Sequence, residues 1–133
     1  MDNHTFLRRV RYRGQLGTQP RDFILLTTWC RLEDGTYLIA SRSVSDEVWP
    51  TDPNYVRGNV FVSGYHIAPS KGLDGGTELT MCIHADLCGA LPRKLVDALS
   101  TTKPLELIAK LEELGASDIS YHKLVSPLIS APT

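Results

Sequence analysis

The 133-residue sequence predicts an α+β chain, with an antiparallel sheet first and a helix last. Three observations carry that reading. Residues 79–87 alternate apolar and polar with a strict period of two. Asp34-Gly35 lies between two strand-like runs, a strong hairpin signal because glycine accepts positive φ without steric cost. At Leu91 the apolar spacing changes from that of a strand to that of a helix.

In chain order, Arg8-Arg9-Val10-Arg11-Tyr12-Arg13 alternates charge with apolar or aromatic residues and reads as a half-exposed strand with its arginines on the wet face. Residues 14–20 are turn-rich. The runs 22–32 and 36–44 form the hairpin around Asp34-Gly35, the first of them rich in Phe, Ile, Leu, Thr and Trp, which suit a pleated surface. Residues 45–58 hold Asp46, Pro50, Asp52, Pro53 and Gly58 and read as a long loop. A third strand covers 59–67, and 70–76 is another turn. In the next strand Leu79, Met81, Ile83, Ala85 and Leu87 share one face, while Glu78, Thr80, Cys82, His84 and Asp86 share the other. One dry face and one wet face suit an antiparallel sheet covered on one side. The cover follows: Leu91, Leu95 and Leu99, then Ile108 and Leu111, read as one helical stripe, with Pro92 in the first turn and Gly115 as the stop. Pro104 is expected to kink this helix or split it in two. The division expected is a domain over 1–115 and a polar tail over 116–133.

Composition narrows the function. The net charge of −1 argues against a nucleic-acid binder, which carries a basic excess or stripe. No apolar run approaches the ~20 residues of a membrane span, and Met1-Asp2-Asn3-His4 lacks the opening of a secretory signal, so a cytoplasmic location is expected. Cys30, Cys82 and Cys88 are an odd three without a Cys-x-x-Cys pair, which suggests neither a disulfide framework nor a zinc knuckle.

Reactive residue types cluster once, at Cys82-x-His84-x-Asp86. Same-face neighbours on a strand stand about 6.5–7 Å apart, too far for a Cys–His nucleophile pair, and a metal would require further ligands from elsewhere in the fold. The polar outer face of a strand is the preferred reading, and no metal is expected. His66 reads as a half-buried hydrogen-bonding residue rather than a base. No phosphate-cradling glycine motif, serine elbow or paired-carboxylate signal is present, so neither a cofactor nor enzymatic chemistry is expected. Arg93-Lys94 fits a solvated turn or a contact with anionic headgroups. Val48-Trp49 either folds back into the core or serves as an interfacial anchor.

The strings Pro20-Arg21-Asp22-Phe23-Ile24-Leu25-Leu26, Ser41-Arg42-Ser43-Val44, Tyr55-Val56-Arg57-Gly58 and Asp86-Leu87-x-Gly89-x-Leu91-Pro92 resemble, in order and spacing, the second half of a START domain, the StAR-related lipid-transfer module. The resemblance spans residues 8–114. It implies a helix-grip fold, a curved antiparallel sheet packed on a long C-terminal helix, here without the family's N-terminal helix and first strands. It also implies transport or sensing of one lipid in a cavity between sheet and helix. By the family pattern Phe23, Leu25, Thr27, Trp29, Ile39, Ser41, Leu79, Met81 and Ile83 would face that cavity, and Leu95 and Leu99 would close it. Residues 45–58 resemble the family's gating loop, so Val48 and Trp49, with Arg93 and Lys94, would meet a membrane surface transiently. Thr27 stands where several members carry an arginine, which leaves the hydroxyls of Thr27 and Ser41 to meet the lipid's polar group. The alternative is a truncated START-like interaction or regulatory domain without a ligand cavity, open to self-association through an exposed sheet edge.

Overall fold

The computed structural model describes residues 4–14, 17–72 and 75–115, with only the backbone of 99–101, 103 and 104. The tail expected over 116–133 lies outside the described residues. The chain divides into a sheet unit, Met1–Leu91, and a helical unit from Pro92 onward.

The sheet unit consists of β1 (Thr5–Tyr12), β2 (Arg21–Arg31), β3 (Tyr37–Ser43), β4 (Val56–Arg57), β5 (Asn59–Pro69) and β6 (Thr77–Asp86). The strand order is β1-β2-β3-β5-β6, all antiparallel, with the two-residue β4 pairing parallel to the start of β2. The β2–β3 hairpin turns where Asp34-Gly35 predicts, but through a three-residue loop. Leu32 N–H donates to the Thr36 carbonyl at 2.8 Å, Gly35 N–H donates to the Leu32 carbonyl at 3.0 Å, and Gly35 adopts φ 83°. That is a type I turn followed by a left-handed glycine, and the Asp34 carboxylate closes it by accepting from the Thr36 N–H at 3.0 Å and hydroxyl at 2.7 Å.

Cross-strand partners in an antiparallel pair share a face, so the register sorts the side chains. Phe23, Leu25, Thr27 and Trp29 of β2 share a face with Val10, Arg8 and Phe6 of β1, with Ser43, Ser41 and Ile39 of β3, and with Ser63, Tyr65 and Ile67 of β5. On β6 that face carries Ile83, Met81 and Leu79. Between Val60 and Val62 the β5–β6 register shifts by one residue. Phe61 is the extra residue, and the shift returns Val60 to the Phe23 face opposite Ala85. Strict alternation along β5 would have placed Val60 on the wrong side.

The core lies at one end of this face. Phe23, Leu25 and Val60 are buried together, with Val10, Ala85 and Leu87 packed on them. Arg21, in the string Pro20-Arg21-Asp22-Phe23, ties the strand's start to the end of β6. Its guanidinium donates to the carbonyls of Gln19 at 2.6 Å, Cys88 at 3.1 Å and Leu87 at 3.2 Å.

The helical unit contains α1, Arg93–Glu113, with Pro92 as the residue before its first turn. The expected break is not found. The backbone is helical through Pro104, whose fixed φ is itself helical, at the cost of one hydrogen bond. The single stripe fails for the same reason. At about 100° per residue, a continuous helix puts Ile108 about 220° and Leu111 about 160° around the axis from Leu95. Leu107, Ile108 and Leu111 therefore lie on the other side of the helix from Leu95. No helix among the described residues is long and apolar enough to cross a membrane.

Candidate functional site

The Phe23 face brings together nine of the sequence-predicted site residues, Phe23, Leu25, Thr27, Trp29, Ile39, Ser41, Leu79, Met81 and Ile83. They lie in rows across the strands, and the rows differ in chemistry. Nearest the core, Leu25 stands opposite Ser43, whose hydroxyl accepts from the Val60 N–H at 2.8 Å. The next row runs Thr27–Ser41–Ser63–Ile83, a band of hydroxyls ending in an isoleucine. Beyond it Trp29–Ile39–Tyr65–Met81 is apolar and aromatic, and Tyr37–Ile67–Leu79 follows.

Burial falls off in two directions, from row to row along the strands and across the sheet toward β6. Thr27 is 2% and Ser41 7% exposed, and their hydroxyls bond to each other at 2.8 Å. Trp29 and Leu79 are each 38% exposed and Ile83 66%. The Trp29 ring meets His4 edge-on at 4.3 Å and Tyr37 at 6.3 Å. A cleft of about 660 Å³ opens at the hairpin end of the face, lined by Tyr37, Ile67, Pro69 and Thr77 together with residues of the two turns. One buried end, one hydroxyl band and one exposed apolar end make a surface that distinguishes the two ends of an amphipathic molecule.

Sequence reasoning missed Ser63 and Tyr65, because the bulge at Phe61 hides the parity of β5, and it missed Arg8. Arg8 pairs with Leu25 and so belongs to the Phe23 face, with its guanidinium 5.9 Å from the Phe6 ring. The hydroxyls are thus not the only hydrogen-bonding groups on that face.

The opposite face holds an ion cluster around a buried carboxylate. Asp22 is 0% exposed and is gripped by two arginines. Arg9 Nε donates to Asp22 Oδ2 at 2.8 Å, while Arg57 donates from Nε to Oδ1 at 2.8 Å and from Nη2 to Oδ2 at 3.2 Å. Arg9 also reaches Asp52 at 2.9 Å and stacks 5.0 Å from the Tyr55 ring. Arg57 reaches Asp46 at 2.9 Å and the carbonyls of Trp49 at 2.9 Å and Pro50 at 3.0 Å. The reading of Arg9 as wet is corrected accordingly: with no carboxylate nearby in sequence, its partners come from β2 and the loop. Burial alone would raise the Asp22 carboxyl, but the hydrogen bonds and charge of Arg57, and then of Arg9, outweigh it and hold Asp22 below the usual carboxylate range. The hydrogen bond from Arg9, followed by those from Asn54, lowers Asp52 likewise.

This cluster fastens residues 44–55 to the sheet. Val48 is 59% and Trp49 37% exposed, so the pair does not fold back into the core. Arg93 and Lys94 are exposed at the start of α1, Leu95 lies in its first turn, and the side chain of Leu99 lies outside the described residues.

The remaining sequence candidates resolve simply. Cys82 and His84 are exposed on the Asp22 face, where the His84 ring stacks 4.7 Å from Phe61. Among the described residues no three His, Cys, Asp or Glu side chains come together as a metal site would require. His66 Nε2 lies 3.3 Å from the Thr36 hydroxyl, a hydrogen-bonding role. Burial, reinforced by Asp86, pushes the Cys88 thiol up, away from a reactive thiolate.

Comparison with known proteins gives this geometry a family. Residues 10–111 match the START domain. The chain belongs to the START domain family. It is 33% identical to human StAR-related lipid transfer protein 5 over 94 residues, 71% of this chain and 44% of that protein. The solved structure of the human StAR-related lipid transfer protein 5 superposes with a TM-score of 0.73 at 27% identity, over 85% of this chain and 54% of that one. Human STARD10 superposes with a TM-score of 0.68 at 24% identity, over 83% and 44%, and shows the shared fold. The antiparallel START sheet is therefore present here, in a chain that spans about half the length of these relatives.

Proposed function

We propose that this chain binds a single lipid against the Phe23 face of its sheet, as an intracellular carrier or sensor. The observation that best supports the reading is the register, which lays an apolar row, Trp29–Ile39–Tyr65–Met81, half-buried to exposed, beside a band of hydroxyls on one face. The relative with the highest structural overlap described above is named as a lipid transfer protein. An acyl or ring system leaving water for such a surface gains about 25 cal/mol per Å² of apolar area. Phe23 and Leu25 form the floor. Thr27, Ser41 and Arg8 fix the polar group, and the donors of Arg8 favour one rich in acceptor oxygens.

In this reading α1 covers the lipid through Leu95 and Leu99, completing the helix grip that the family resemblance implies. The gate is the loop read as 45–58, which β4 shortens to residues 44–55, with Val48 and Trp49 at the bilayer interface and Arg93 and Lys94 at anionic headgroups. Opening the gate requires Arg57 to release the carbonyls of Trp49 and Pro50.

Incubation with mixed-lipid vesicles, re-isolation and native mass spectrometry test the proposal. One lipid per chain is expected, with uptake at least about tenfold lower in Met81→Glu, because a charge on the apolar row costs several kcal/mol to desolvate. Failure of the native chain to extract or retain any lipid refutes carriage. The alternative, an interaction domain without a ligand chamber, is favoured by the outer side of β6, which has no neighbouring strand among the described residues. A chain that associates with itself yet takes up no lipid supports that alternative.

A further inference from the structure

Alternate residues at the end of β3 and the start of the loop after it are serines, and the fold leaves them unequally accessible. Ser41 is 7% exposed and bonded to Thr27. Ser43 is half-buried and accepts from the Val60 N–H. Ser45 lies just beyond the strand and is exposed. With Asp46, Arg57 and Asn59 it lines a hollow of about 300 Å³.

Arg57 has no donor to spare. A guanidinium offers five N–H groups, and here all are engaged, by both oxygens of Asp22, by Asp46 and by the carbonyls of Trp49 and Pro50. An anion that enters the hollow must displace one of these acceptors. Asp22 is sealed from water, whereas the Asp46 side chain is 61% exposed and returns to solvent at the least cost.

We propose that Ser45 is a phosphorylation site, and that its phosphate takes the place of Asp46 on Arg57. The exposed Arg42, three residues before Ser45, supplies the positive charge by which a basic-directed serine kinase selects its substrate. In the transfer Ser45 Oγ attacks the γ-phosphorus of ATP, the bond from that phosphorus to the β–γ bridging oxygen breaks to leave ADP, and the hydroxyl proton passes to the kinase's catalytic aspartate. The product carries about −1.5 to −2 charge at pH 7, against the single charge of Asp46. It therefore holds Arg57 the more strongly, and it repels the carboxylates of Asp46 and Glu47 that follow it directly. The turn closed by the Val48 N–H on the Ser45 carbonyl opens. The far end of the loop, fastened through Asp52 to Arg9, stays in place. That this loosens a gate rests on the lipid-binding reading above; the modification and the opened turn do not, and both are measured without lipid.

The full chain, incubated with ATP and a kinase of that class and mapped by tandem mass spectrometry, is expected to carry its phosphate at Ser45. Ser45→Ala is expected to carry none, and Arg42→Ala at least about tenfold less. In the phosphorylated chain the Val48 amide is expected to exchange at least about tenfold faster. The amides of Tyr55, bonded to Asp52, and of Leu25 should keep their rates. Four results each overturn the proposal, whatever lipid the chain carries. They are no phosphate, a phosphate on another residue, undiminished labelling of Arg42→Ala, and a phosphorylated chain in which Val48 is unchanged or Tyr55 accelerates as much.

Discussion

A single missing methyl group shows how tightly the buried end of the Phe23 face is made. A Cβ built on Gly58 would stand 2.2 Å from one Phe23 ring atom and 2.5 Å from another, and that ring is 4% exposed with no room to retreat. Gly58→Ala must push the ring into Leu25 and Val60, and overpacking of this kind costs about 1–3 kcal/mol. Urea unfolding should show the loss as a lowered midpoint, and Phe23→Leu in the same background should recover part of it by vacating the contested volume. Unchanged stability in Gly58→Ala would mean that the core yields more readily than its burial indicates. The string Tyr55-Val56-Arg57-Gly58 was legible as a family resemblance, but the reason for its glycine was not, because the residue that excludes a side chain there lies on another strand. Asp22 is similar. In sequence it is one polar residue at the mouth of an apolar run, and only the fold discloses the two guanidinium groups that make its burial tolerable.

At the scale of elements, periodicity carried far. The period of two in β6 fixed the face of Leu79, Met81 and Ile83, and Asp34-Gly35 located the hairpin. What periodicity could not disclose were departures from period. These are the extra residue at Phe61, the two-residue β4 within a stretch that reads as loop, and a helix that continues through Pro104 where local preference argues for a break. The loop 44–55 belongs to this class, since Arg57 and Arg9 tie it to the sheet in addition to the turns its own residues make. Arg57 serves the Asp22 carboxylate through two nitrogens and the loop through Asp46 and two carbonyls. Lysine keeps the charge but not the planar fork. Arg57→Lys is therefore expected to loosen the loop while sparing the sheet. By hydrogen exchange, the amides of Val48 and Tyr55, bonded within the loop to Ser45 and Asp52, should exchange at least about tenfold faster, a change of about 1.4 kcal/mol in local opening. The amides of Leu25 and Thr27 should keep their protection. Equal acceleration at all four would show that Arg57 holds the whole sheet and not the gate.

For the molecule as a whole, the acid limb of the stability curve reports the ion cluster. Asp22, Asp34 and Asp52 all titrate below the ordinary carboxylate value in the folded chain, Asp22 because the arginines outweigh its burial, Asp34 through Thr36 and Asp52 through Arg9. A carboxylate with a depressed folded pKa binds fewer protons folded than unfolded in the acid range, so its contribution rises with pH there. It is fully present above the unfolded value of about 3.9 and is lost as pH falls through the folded value. Stability measured by urea titration should thus be level, as far as these three groups are concerned, from about pH 5 to 7 and should decline steeply below about pH 4. Asp22→Asn separates the fully buried carboxylate from the more accessible ones. It leaves Arg9 and Arg57 facing an uncharged amide where the sheet excludes water, so neutral stability should fall by about 3–5 kcal/mol. The acid decline should also become shallower, since one of the titrating groups is gone. The variant must show both effects. A lowered plateau with an unaltered acid slope would locate the proton uptake at Asp34 and Asp52, and would leave Asp22 as a packing residue rather than the charge on which the two arginines and the loop converge.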